Sequence, residues 1–214
     1  MKAAIANDIL FKGACYGLLN ELISTACSGT EVAGVLGSAR FVVSKKIEKS
    51  KLRRNGVPAL ACFLQFLSRT EALEPTDNER NMAADLELAA QKLGINLDSG
   101  ESQLCAILVH RVLQLLLTGD KRAIAAMEKL MDADVRLRPI CGKVRCLEQL
   151  VHDALAIGDH GTLRGAVCSE PEIDKALAIC FSCTNQSIEM ASVIEGLQSY
   201  IRSLRMQASR VLSP

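Results

Sequence analysis

The chain has 214 residues, 49% of them hydrophobic and 23% charged, enough for a sizeable core that needs neither disulfides nor a metal for stability. Its formal charge of +1 excludes nucleic-acid binding through net charge alone, so such binding must come from local patches. Aromatics make up 3% with no Trp, which argues against a base-stacking platform, and no apolar run approaches the roughly 18 residues of a membrane-spanning helix.

The first apolar run, Ala3 to Ala6, ends at Asn7 and Asp8 and is read either as a buried strand or as the first turn of a helix. Over 12–26 the spacing of Tyr16, Leu18, Leu19, Leu22 and Ile23 predicts a helix, stopped by Ser28 and Gly29. Val35 and Leu36 suggest a short strand, with a helix after Gly37 through Phe41, Val42 and Val43. Residues 44–55 are basic, carrying Lys45, Lys46, Lys49, Lys51, Arg53 and Arg54 with Glu48 among them. After the Asn55-Gly56 turn, Pro58 is placed at the first position of an apolar helix running to Leu67. Glu74, Pro75, Thr76 and Asp77 read as a strand end and helix cap, followed by a helix over 78–93 that Gly94 ends.

The stretch 98–127 is the most informative. Asp98, Ser99, Gly100 and Glu101 open a helix expected to reach Val112, with Leu104, Ile107, Leu108 and Val112 facing inward. Leu115, Leu116, Leu117 and Thr118 read as a buried parallel strand, closed by Gly119 and Asp120, and Lys121 starts the next helix. Helix, strand, acid, helix is the α/β pattern in which ligands gather at the carboxyl ends of strands. Beyond about residue 134 the sequence predicts helices over 146–157, 170–183 and 188–212 and no clear strand. Leu177, Ile179 and Phe181, then Ile194, Leu197, Ile201 and Leu204, form apolar stripes expected to pack on the preceding domain or across a homodimer.

Asp8 and Asp120 each end a short apolar run, where a parallel strand would present them at one edge of the sheet. Asp98 and Glu101 share a helix face near its start. Converging carboxylates repel unless a cation neutralises them, and hard oxygen donors without His or Cys suit Mg²⁺ or Mn²⁺. The alternative makes Asp8 and Asp98 helix caps and Asp120 a turn residue.

The run ending at Asp8, the segment Leu97-Asp98-Ser99-Gly100-Glu101-Ser102-Gln103-Leu104 and the segment Leu115-Leu116-Leu117-Thr118-Gly119-Asp120-Lys121-Arg122 together resemble the three acidic motifs of PIN-type nucleases. The resemblance covers 1–134 and implies an α/β fold, a PIN-like parallel sheet flanked by helices, with 135–214 as an α-helical C-terminal extension. It further implies a cytoplasmic, metal-dependent endoribonuclease, often the toxin half of a toxin–antitoxin pair, with RNA as substrate and an antitoxin or regulatory protein as partner. On this resemblance Asp8, Glu101 and Asp120 are catalytic and, with Asp98, ligate Mg²⁺ or Mn²⁺. Such domains usually carry a further acid after the second strand. Residues 42–45 have none, and Glu48 and Glu31 are the nearest candidates. A degenerate regulatory or protein-binding module is therefore the alternative.

Lys45, Lys46, Lys121 and Arg122 are candidates to meet RNA phosphates, against a plain solvated surface as the other reading. Nine scattered cysteines, Cys62 and Cys105 inside apolar runs, and the absence of a secretion-type leader point to free thiols in a reducing cytoplasm. Cys141, Cys146, Cys168, Cys180 and Cys183 contain one CxxC, and four of them would suffice for a zinc site. Their irregular spacing favours buried thiols.

Overall fold

A computed structural model describes residues 3–27, 32–53 and 56–214. The elements run β1 (Ala3–Ile5), α1 (Asn7–Tyr16), α2 (Leu19–Ser24), β2 (Gly34–Leu36), α3 (Ala39–Lys49), α4 (Gly56–Leu67), β3 (Glu71–Leu73), α5 (Asp77–Lys92) and α6 (Ser99–His110). They continue as β4 (Leu115–Leu117), α7 (Lys121–Ala133), a 3₁₀ turn (Val135–Ile140), β5 (Val144–Arg145), α8 (Leu147–Ile157), α9 (His160–Ser169), α10 (Lys175–Cys180) and α11 (Met190–Gln207). The result is an α/β architecture around a five-stranded, all-parallel sheet in the order β3-β2-β1-β4-β5.

Alternating side chains feed two cores, as the two-residue period of a strand requires. Ala3, Ile5, Val35 and Leu117 join one core with Ile9, Leu10, Phe63, Leu150, Phe181 and Leu197. Ala4, Leu36, Leu116 and Val144 join the other with Leu86, Leu104, Ile107, Ile124 and Leu204. Both faces are covered by helices, which is why the central strands β1 and β4 read as continuous apolar runs.

The short run at Ala3 is a strand, but the helix after it begins at Asn7 and is broken within the expected 12–26 helix. Gly17 takes a left-handed φ of 70°, receives the end of α1, and lets α2 restart at Leu19. Pro58 lies within the first turn of α4, two residues after its start at Gly56. α5 is capped as the sequence suggested: Thr76 accepts from Glu79 N–H while the Glu79 carboxylate accepts from Thr76 N–H, a reciprocal capping box. α6 stops at His110, and Val112, expected to face inward, is 72% exposed with φ of 53°. The expected 170–183 helix is instead a bend and turn following α9, then α10, then a second turn.

The segment after residue 134 is not helical throughout. β5 pairs with β4, and Val144 also bridges Leu212 near the end of the chain. Two residues flanked by loops leave no apolar run to read, so this strand was invisible to periodicity. Of the predicted stripes, Leu177, Phe181, Leu197 and Leu204 are buried within the chain, whereas Ile179 is 67% exposed. No helix among the described residues is long and apolar enough to cross a membrane.

Candidate functional site

Parallel pairing places three acids at equivalent positions. Ile5, Leu117 and Arg145 are partners across β1, β4 and β5, and Asp8, Asp120 and Glu148 each follow three residues later. The strand order reverses between β1 and β4, so Asp8 and Asp120 flank the crevice where α/β sheets usually bind ligands. Glu101 enters from the first turn of α6, next to Asp98.

Asp8 is not a cap. The N-cap of α1 is Ala6, and both Asp8 carboxylate oxygens are buried with no hydrogen-bond partner. Burial pushes its carboxyl above the usual range; the Lys12 ammonium and the nearby N–H groups of Ile9 and Gly119 oppose this, while Asp120 adds to it. Gly119 must be glycine for this approach, because a Cβ there would stand 2.5 Å from Asp8 Oδ2. Asp98 precedes α6 in extended conformation, yet its side chain caps nothing. Glu101 is 9% exposed, and its carboxyl is pushed up to about 7 by burial and by the charges of Asp8, Asp120 and Asp98. The other three acids all bear on Glu101.

Asp120, a turn residue in the alternative reading, is instead the side-chain N-cap of α7. Its Oδ1 accepts from Arg122 N–H at 2.9 Å and Ala123 N–H at 3.3 Å, and Oδ2 lies 3.3 Å from Arg122 Nη2. Burial acts against ionisation here, but the hydrogen bonds from the Arg122 side chain and the two amides outweigh it and hold the carboxyl below its usual range. The Arg122 side chain is 74% exposed.

Three further residues belong to the centre, and sequence reasoning singles out none of them. Lys12 lies one turn after Asp8, with Nζ 3.6 Å from Asp8 Oδ2 and 2.9 Å from Asp174 Oδ2. Asp174 caps α10 by accepting from Leu177 N–H at 3.0 Å. Glu148 is 2% exposed; its Oε1 is 2.5 Å from Lys121 Nζ, and its Oε2 is buried without a hydrogen-bond partner. Only the i, i+4 spacing of Asp8 and Lys12 was readable in advance.

The basic candidates separate. Lys121 turns inward to Glu148 and lies 4.5 Å over the Tyr200 ring, while Arg122 stays beside Asp120. Lys121, Arg122 and Lys129, with Asn96 and Gln207, line a groove of about 280 Å³ along α7. On α3, Lys45 is exposed and the Lys46 ammonium lies 4.4 Å over the Phe11 ring. Glu48 is exposed on the same helix, and Glu31 lies outside the described residues.

Among the described residues no group of three or more His, Cys, Asp or Glu side chains is arranged to hold a metal ion. The expected free thiols are corrected at one pair: Cys168 and Cys183, with Cα atoms 5.0 Å apart, form a disulfide joining α9 to the turn after α10. Cys141, Cys146 and Cys180 keep free thiols. The donors around Asp8 are all oxygen, the chemistry that hard cations prefer: both Asp8 oxygens are buried without a hydrogen bond, and burial first, then the neighbouring acids, oppose ionisation of Glu101. No protein-family model, curated protein or solved structure matches this chain.

Proposed function

We propose that the protein is a metal-dependent endoribonuclease of PIN-like type, hydrolysing RNA phosphodiesters at the carboxyl edge of its sheet. The observation that carries this reading is Glu101, its carboxyl pushed up to about 7 by burial and by Asp8, Asp120 and Asp98, beside an Asp8 whose oxygens have no hydrogen-bond partner. Carboxylates so placed are costly to ionise together without a cation.

Asp8, Glu101 and Asp120 would hold Mg²⁺ or Mn²⁺, with Asp98 beside Glu101. The ion supplies water activation and charge neutralisation at the phosphate. Arg122, mostly exposed, is free to leave Asp120 and meet a phosphate oxygen, while the groove it lines with Lys129 would take the RNA backbone. Lys121 holds its place against Glu148 and Tyr200. Lys45 and Lys46 would add only distant, salt-sensitive attraction. The strand order and the acids after β1 and β4 support a PIN-like fold, whose sheet also takes its edge strand β5 from the 135–214 extension. Cytoplasmic action as a toxin held by an antitoxin, as a monomer or homodimer, belongs to the same reading.

One observation favours a second reading, a degenerate PIN-like regulatory or protein-binding module. Lys12 beside Asp8 and Arg122 on Asp120 already partly neutralise the acids, and no three-ligand group is arranged among the described residues. Calorimetric titration with Mn²⁺ separates the two. The nuclease reading requires binding by the wild type that Asp8→Asn removes; a wild type that takes up no Mn²⁺ leaves the binding module.

A further inference from the structure

Lys12 has an obvious local partner that it does not take closely. It stands four residues after Asp8 on α1, the spacing at which opposite charges on a helix meet. Its ammonium nevertheless sits 2.9 Å from Asp174 Oδ2 and 3.6 Å from Asp8 Oδ2, within a pocket where all three side chains are less than one-fifth exposed. Asp174 is anchored: Oδ1 caps α10, whose Leu177 and Cys180 are buried in the core, and Oδ2 is left for Lys12. The Asp8 oxygens remain buried and without hydrogen bonds. The second lysine at the centre is treated alike, for Glu148 holds Lys121 through Oε1 and keeps a buried, unpartnered Oε2. Both restraining acids come from the segment after residue 134.

We propose that Asp174 is a positioning residue for the acidic centre, drawing the Lys12 ammonium off Asp8 and so keeping the Asp8 carboxylate open to a divalent cation. The inference rests on the metal-binding reading above. A lysine released onto Asp8 would occupy its oxygens and place a like charge beside the incoming ion, both of which weaken binding. Asp174 touches neither the cation nor the substrate; it acts through Lys12.

The test is Mn²⁺ titration of the full chain by calorimetry in four forms: wild type, Asp174→Asn, Lys12→Met and the double variant. Asn keeps an oxygen to cap α10, so the fold is expected to persist. Asp174→Asn should weaken Mn²⁺ binding by about 10- to 100-fold, the usual scale for residues that orient a metal ligand. Lys12→Met should bind at least as tightly as the wild type, and the double variant should match Lys12→Met. A crystal structure of metal-free Asp174→Asn should show Lys12 Nζ hydrogen-bonded to Asp8. Unchanged affinity in Asp174→Asn, an equal loss in both backgrounds, or a Lys12 that stays beside Asn overturns the proposal while leaving the nuclease reading intact. A wild type that binds no Mn²⁺ overturns both. Should Asp174→Asn fail to fold, Lys12→Met decides alone, and weaker binding by that variant rejects the proposal.

Discussion

Asp8 and Gly119 face each other across the β1–β4 crevice with no room for a methyl group between them. A Cβ at residue 119 would lie 2.5 Å from Asp8 Oδ2 and 3.3 Å from both Leu147 Cβ and Lys12 Nζ. Asp8 is short and buried, so it cannot swing aside as a long surface side chain would. Gly119→Ala should cost about 1–3 kcal/mol, the usual range for overpacking, and should displace the acid from its place. Urea unfolding measures it. A variant as stable as the wild type would mean that Asp8 is loosely held and the crevice less closely packed than described.

Burial, and then the neighbouring acids, oppose ionisation of Glu101, a cost that Gln would remove. Its carboxyl titrates near 7 in the fold against an ordinary value of 4.5, so the folded state holds this proton more tightly than the unfolded state. Metal-free stability should therefore fall as pH rises from about 4.5 to about 7, by up to about 3 kcal/mol from this group. Glu101→Gln removes that slope and should be more stable than the wild type at pH 8, with the gap closing near pH 4. Chemical denaturation of chelator-treated protein across that range checks the sign. A variant less stable than the wild type at pH 8 would show the Glu101 carboxylate to be stabilising.

Glu79 gives the opposite pH dependence far from the centre. It is 2% exposed, accepts from Arg111 Nε at 2.7 Å and Nη2 at 2.8 Å, and also belongs to the cap of α5. The Arg111 guanidinium, against the opposing effect of burial, holds its carboxyl down to about 2 from 4.5. Stability from this pair is present above about 4.5 and is lost as pH falls towards 2, by about 3 kcal/mol if the full shift is realised. Arg111→Met should flatten the acid limb of a stability-versus-pH curve and lower stability at pH 7 by about 3–5 kcal/mol, since it strands a buried charge. An acid limb unchanged in the variant would rule the pair out as its source.

The legible parts were those in which local chemistry and tertiary structure agree. Leu115 to Leu117 is apolar because β4 is covered on both faces, and the Asp120 turn follows it directly. Thr76 and Glu79 announce a helix start because both partners of the cap lie within one turn. Asp8 could be singled out, but its burial without hydrogen bonds could not, since the Gly119 approach is made only when β1 and β4 pair. Glu148 and Asp174 escaped notice for the same reason. β5 is two residues long, and the register that aligns Glu148 with Asp8 and Asp120 exists only in the sheet. Val112 misled because the apolar spacing continues two residues beyond His110, where the helix ends. The disulfide was missed because cysteine spacing says nothing about pairing across a turn.

The central claim is that the acids around Asp8 hold a cation that cuts RNA, and cleavage itself tests it most directly. Purified protein should be incubated with structured and single-stranded RNAs in Mg²⁺ or Mn²⁺, then with excess chelator, and the whole series repeated with Asp8→Asn. The account predicts cleavage that needs the metal, stops with the chelator, and falls by orders of magnitude in Asp8→Asn, because the lost ligand removes several kcal/mol of stabilisation from charge developing on the phosphate. Cleavage that persists in both the chelator and Asp8→Asn would contradict it.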